Sequence, residues 1–144
     1  MPVAVIAHAA FTFAMAGFML AVQLVIYPQF RSVDPGGLPG YAADHARRII
    51  VPLAALAPAE IATAAWLVLD PVDELATAAV FAAGVLLAIG WVATGLWYAP
   101  LHGQLQSEPH DSANIDRLIT TNWLRTALWL ARAGFAAWFL HAAG

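Results

Sequence analysis

A chain of 144 residues that is 62% hydrophobic and only 10% charged lies far from the roughly 25% charged composition of soluble domains. It lacks the polar residues to cover a core in water, so lipid is the expected solvent and partner. A formal net charge of -3 with no basic run argues against nucleic acid, and the absence of cysteine rules out disulfides and thiolate metal sites.

Four apolar blocks follow one another along the chain: Val3–Tyr27, Ile49–Leu69, Leu75–Tyr98 and Leu118–Leu140. Each is near the ~20 residues that a helix needs to cross hydrocarbon, and none alternates as a strand would. The predicted fold is all-α, a single domain of four transmembrane helices over roughly 3–27, 44–69, 75–98 and 116–141. The first block has no basic residues ahead of it and is too long for the apolar part of a secretory signal, so it is expected to stay in the mature protein.

Between the first two helices lies "PQFRSVDPGGLPGYAADHARR", which begins with Pro and Gly punctuation and is expected to start as irregular chain. Asp44 reads as the N-cap of the second helix, with Arg47 and Arg48 in its first turn. The outer link "DPVDE" is purely acidic. The third connection, containing His110, ends at Asp116 as a matching cap. All exposed basic charge thus falls in the first and third connections, which places these in the cytoplasm and both termini outside an inner membrane.

A shift of 72 positions aligns Leu24 with Leu96, Pro28 with Pro100, Asp44 with Asp116, Glu60 with Arg132 and Trp66 with Trp138. Such a repeat would relate two helix pairs by a pseudo-two-fold axis along the membrane normal, with Glu60 and Arg132 at one depth.

Ionisable groups at mid-bilayer cost at least ~2.5–3.5 kcal/mol on insertion scales, and they turn inward to find partners. Glu60 follows Arg48 by about 18 Å of helix. On the last helix Asn122, Arg125, Trp129 and Arg132 fall within an arc of roughly 80° at 100° per residue, a stripe expected to face the bundle interior. Glu60 is expected to pair with one arginine, while Asn122 and backbone carbonyls, including that of Ala54 freed by Pro58, serve the other.

His45 and His102 are expected to converge at the cytoplasmic mouth, near Gln23, Tyr41 and Tyr98. A histidine base is the simpler use of that pair. A transition metal held by His45, His102 and Glu60 is the alternative, although no helical His/Glu motif supports it. Trp91 and Trp129 lie deep enough to wall an aromatic ligand. Trp66, Trp97, Trp123 and Trp138 fit interfacial belts, and His8 and His141 are placed at the outer periphery.

The segments "YPQF", "YAADHARRI", "WYAPLHGQL" and "NWLRTALWLAR" together resemble a group of small four-helix membrane proteins of unknown function that includes anthrone oxygenase-like proteins. The likeness spans nearly the whole chain, and the Asn-Trp-x-Arg-Thr run at Asn122–Thr126 is its most specific part. For the oxygenase-like members the resemblance implies oxidation of a lipophilic polycyclic phenol by dioxygen with no bound cofactor. His45 or His102 would be the base, with Arg125 and Asn122 holding the enolate oxygen.

Two readings therefore stand. One is a cofactor-independent monooxygenase acting on an anthrone- or quinol-like molecule. The other is a non-enzymatic membrane subunit, or a small-solute or proton carrier that dimerises, in which Glu60 and Arg132 form a structural clasp.

Overall fold

The computed structural model describes residues 1–107 and 112–144; His110 and the middle of the third connection lie outside the described residues. Among the described residues the chain is all-helical. Four long helical columns follow one another: α1 over Val3–Ser32, α2 over Leu38–Leu69, α3 over Thr77–Ser107 and α4 over Ser112–Ala142. α1 packs on α2 and α4, and α3 packs on the same two, so the columns form a closed ring in the order 1-2-3-4.

Three of the columns, α1, α2 preceded by the Pro35–Gly37 turn, and α3, are long and apolar enough to cross a membrane. Exposed large apolar residues such as Leu24, Val51, Leu96 and Leu124 lie on all four columns. The fourth is long enough, but Arg125 and Arg132 lower its mean hydropathy. Both arginines are buried, so the polarity of α4 is turned into the bundle as the stripe predicts.

The ends of the columns depart from expectation at the arginine-rich end. α1 does not stop at Tyr27. It passes through a π-helical turn at Val22–Ile26, in which the Tyr27 N–H bonds to the carbonyl of Val22, and continues to Ser32. Pro28 explains the turn: it has no N–H to give Leu24 and its ring collides with that carbonyl in a regular helix, and a π-bulge relieves both. α3 repeats the device. Its π-helical turn covers Thr94–Tyr98, the Ala99 N–H bonds to the carbonyl of Thr94, and Pro100 follows. The two turns stand at the same 72-residue offset that separates Glu60 from Arg132, so the sequence repeat recurs in the backbone.

The first connection is shorter and more ordered than its Pro/Gly content suggests. Only Val33 and Asp34 lie outside helical geometry. Asp34, not Asp44, caps the chain that leads into α2, accepting from the Gly36 N–H at 3.2 Å, and Pro39 sits in the first turn of α2. Asp44 lies inside α2, where it takes Arg47 at 3.2 Å and Arg48 at 2.6 Å. Asp116 likewise lies inside α4 and binds Arg31 of α1 at 2.7 Å. Neither aspartate is a cap.

At the opposite end, α2 stops at Leu69 before Pro71, and Leu75 is buried against Ala4, Val5, Leu67 and Phe139, closing the core there. His8 is not peripheral as expected. It is 2% exposed, with its Nδ1 3.5 Å from the Thr63 hydroxyl. His141, Trp66, Trp97, Trp123 and Trp138 are exposed.

Candidate functional site

The polar residues predicted to share one site are arranged in layers. In the deepest layer Glu60 and Arg132 meet across the ring from α2 and α4. Glu60 Oε1 accepts from Arg132 Nε at 3.1 Å, with Nη2 3.0 Å from the same oxygen, and Oε2 accepts from the Trp129 indole N–H at 3.1 Å. Arg132 Nη1 donates to the carbonyl of Ala83 on α3. Both charged residues are almost fully buried, at 0% and 1% exposure. Each carboxylate oxygen has a charged or N–H partner, while Arg132 Nη2 makes the ion-pair contact but no hydrogen bond of its own.

Trp129 completes the layer by lying against α3. A Cβ on Gly90 would come within 2.7 Å of the Trp129 ring, so only glycine leaves the space that lets the indole reach Glu60. Trp91 meets Trp129 edge to face at 5.7 Å.

A second layer joins α1 to α4. Asn122 donates to Gln23 Oε1 at 2.7 Å, and Gln23 Nε2 donates to the carbonyl of Ile119 at 3.1 Å. Thr126 returns a bond to the carbonyl of Asn122 at 3.0 Å. Gln23 and Asn122 thus fasten the α1–α4 seam, and Asn122 does not serve Arg125.

Arg125 belongs to a third group, with Tyr27, Tyr98 and His102. Its Nη2 donates to the hydroxyl of Tyr27 at 3.0 Å, and its guanidinium lies 4.4 Å from the centre of the Tyr98 ring. The expected acceptor, the carbonyl of Ala54, is not among its partners. Tyr98 is held in turn by its own hydroxyl, which donates to the carbonyl of Thr121 at 2.7 Å. The Tyr27 hydroxyl is 2.8 Å from His102 Nε2. That hydroxyl accepts from Arg125, and in the His102 tautomer with its ring proton on Nδ1 it donates its own proton to Nε2. His45 stacks on His102 with centroids 5.5 Å apart, but no hydrogen bond joins them.

Tyr27, His102 and Arg125 converge on an internal cavity of about 460 Å³. Trp91, Thr94 and Tyr98 of α3 form one wall, Leu53, Ala57 and Pro58 of α2 another, and Phe18, Met19 and Val22 of α1 a third. The mouth lies between α2 and α3, where Ile50, Ala54, Ala99 and Gln106 are exposed. A ligand entering here would pass from the outer, apolar surface of the bundle to a polar floor. A wider groove of about 630 Å³ on the outside of α3 and α4 is lined mainly by alkyl groups and Trp97, and it has no comparable convergence of polar groups.

Of the residues selected from sequence, the cavity gathers His102, Arg125, Tyr98 and Trp91. His45 stands behind His102 and lines a separate concavity with Tyr41, Asp44 and Arg48. Tyr41 packs edge to face on Phe30 and takes no part in the cavity. Glu60, Arg132, Trp129, Asn122 and Gln23 hold the surrounding bundle. No group of three metal-ligating side chains comes together among the described residues; Glu60 in particular is committed to Trp129 and Arg132, away from both histidines.

Tyr27 is the residue that sequence reading missed. Its position was signalled by the Tyr-Pro step at the end of the first apolar block, where a π-bulge turns the side chain into the bundle. A phenol held between a guanidinium and an imidazole can serve in proton transfer, with the cation stabilising charge on the oxygen and the ring able to take or give the proton. No protein-family model matches the chain, and neither a curated protein nor a solved structure is significantly similar to it.

Proposed function

We propose that the chain is a four-span inner-membrane protein, with the arginine-rich end in the cytoplasm and both termini outside, and that its cavity binds a lipophilic aromatic molecule arriving from the leaflet. Burial of Arg125 and Arg132 supports α4 as the fourth span, because the outward surface of that helix is apolar despite its sequence average. The four exposed arginines, at 31, 47, 48 and 117, support the orientation.

The activity we assign is oxidation of an anthrone-like substrate by dioxygen. The observation that carries it is the cavity of about 460 Å³ with a single polar floor made by Tyr27, His102 and Arg125. Tyr27 takes a proton from the activated CH₂ of the substrate while passing its own to His102. Arg125 stabilises the enolate oxygen that results, in a site with little water. The carbanion then forms a C–O bond with dioxygen, the resulting peroxide anion takes back through Tyr27 the proton held on His102, and the hydroperoxide loses water to leave a carbonyl. One oxygen atom enters the product and the other leaves as water, and the substrate supplies all the electrons.

The test is dioxygen uptake and quinone formation by the purified protein in neutral detergent with anthrone as substrate. Wild type should turn over, while Tyr27→Phe and His102→Gln should each slow the proton-transfer step by about 10²–10⁴-fold. No turnover above the background of empty micelles, in air and with iron or copper added, would remove the assignment.

The clasp reading of Glu60 and Arg132 has its own support: both oxygens of Glu60 accept hydrogen bonds, Arg132 is held through Nε and Nη1, and neither residue lines the cavity. In this proposal the pair sets the register of α2 against α4, and the chemistry belongs to the group of Tyr27, His102 and Arg125.

A further inference from the structure

The two deep arginines differ in one respect. Arg132 faces the carboxylate of Glu60 at 3.0 Å, whereas Arg125 has no carboxylate partner among the described residues. Two described acids at this end of the bundle are engaged elsewhere, Asp44 with Arg47 and Arg48, and Asp116 with Arg31. Arg125 is only 7% exposed; each guanidinium has one buried nitrogen without a hydrogen bond, Arg125 Nε and Arg132 Nη2, so the carboxylate is what separates them. What it does touch, a phenol and the face of an aromatic ring, solvates a cation without neutralising it.

A guanidinium removed from water without a counter-ion is a costly feature in a bundle that otherwise pairs its buried charge. It lines the cavity, and the cavity opens sideways between α2 and α3. Among the described residues no acid meets Arg125, and the open cavity gives an anionic ligand a route to it.

We infer that the cavity takes its occupant as a monoanion: an amphiphile whose carboxylate or phenolate oxygen pairs with Arg125 beside Tyr27, and whose apolar body lies along Leu53, Ala57 and Trp91. This rests on the cavity being the binding site proposed above, but it goes further in naming charge as the recognised property. It also widens the ligand class, since a free fatty carboxylate from the leaflet satisfies the same site although it has no acidic CH to oxidise. Such carboxylates are then competing ligands of the cavity.

Trp91 supplies the readout, because it lines the same cavity as Arg125. Purified protein in neutral micelles at about pH 9, where carboxylic acids are ionised, is titrated with a terminally brominated octanoate and separately with the matching brominated alcohol. Bromine quenches indole fluorescence on contact. The carboxylate should quench at roughly tenfold lower concentration than the alcohol, as one charge-assisted contact implies, and Trp91→Phe should lose that component of quenching. A brominated naphthol and its methyl ether form the phenolate arm.

Arg125→Met should abolish the preference for the anion while leaving alcohol binding in place, and Arg125→Lys should keep the preference. Should Arg125→Met fail to fold, lowering the pH of the wild-type titration below the carboxylate range should erase the preference instead. Equal quenching by acid and alcohol, or a preference that survives Arg125→Met, overturns the inference. The readout is independent of turnover, so anion preference without oxidation would sink only the catalytic assignment, and oxidation without anion preference only this one.

Discussion

The two helix pairs, α1 with α2 and α3 with α4, share a backbone plan and differ in what they put at its centre. Positions 53 and 57 of α2 correspond, at the 72-residue offset of Glu60 and Arg132, to Arg125 and Trp129 of α4. On α4 the large polar pair fills the interior and reaches Tyr27 and Glu60. On α2 the corresponding Leu53 and Ala57 leave space, and both line the cavity. A pocket in a small bundle therefore needs no special architecture: the same helix crossing is packed on one side of the axis and hollow on the other, according to side-chain volume. The π-turns belong to both halves but present their tyrosines differently: Tyr27 follows the first turn and bonds to Arg125, whereas the equivalent position 99 is alanine and the second turn's Tyr98, one residue earlier, is tied to the carbonyl of Thr121.

Breaking the axis that joins the halves should have the largest effect. Glu60→Gln or Arg132→Met alone leaves a buried partner unsatisfied and should cost about 3–5 kcal/mol. That would appear as a fall in the unfolding midpoint on titration of micelles with a denaturing detergent. Changing both, to Gln and Met, should recover much of the loss, because no uncompensated charge remains. If the double variant is no better than the worse single one, the pair is not acting as a clasp.

Making the hollow half resemble the filled one should abolish function at a small cost in stability. Ala57→Trp places on α2 the side chain that α4 carries at position 129, aimed into the cavity of about 460 Å³. Turnover and Trp91 quenching should both fall to background while the folded fraction, measured by helicity and gel filtration, is retained. Undiminished activity would show that the cavity is not the site.

The fold was legible where lipid imposes a length. Four apolar blocks and an inward arginine stripe follow from the cost of polar groups in hydrocarbon, and the burial of Arg125 and Arg132 bears out the stripe. The pairing of Glu60 with one arginine was also legible, because few groups can satisfy a deep carboxylate. The helix ends were not. Pro28 and Pro100 look like stops, but a π-turn absorbs each, so α1 continues and Tyr27 turns inward. Partner choice at Arg125 was hidden for the same reason: a phenol delivered by that bulge, not Asn122 or a freed carbonyl, meets the guanidinium. His8 was misplaced because its distance from the chain end says how deep it lies and nothing about which way it faces.

A smaller effect is expected at the contact that lets α4 fill its half. Gly90→Ala would set a Cβ 2.7 Å from the Trp129 ring, and overpacking of this kind costs about 1–3 kcal/mol. The indole must withdraw from Glu60, so the loss should be coupled to the clasp: added to Glu60→Gln, the glycine change should cost less than it does alone. Simple additivity would mean that Trp129 moves without disturbing the carboxylate.

The smallest effect should come from the exposed pair that one half has and the other lacks. Arg31 of α1 binds Asp116 of α4 at 2.7 Å with both side chains more than half exposed, whereas the residue that the offset sets opposite Arg31 on α3 is Gly103, which offers nothing to Asp44. Asp44 is instead held by neighbours on its own helix. Solvent screens such pairs, and Arg31→Ala should change stability by about 0–1 kcal/mol, with the difference vanishing as salt is raised. The same variant leaves Tyr27 four residues away on α1 with its bonds to Arg125 and His102 intact. Anthrone turnover should therefore stay at the wild-type rate; a large fall would mean that the end of α1 beyond the π-turn, and not the bulge itself, fixes the tyrosine.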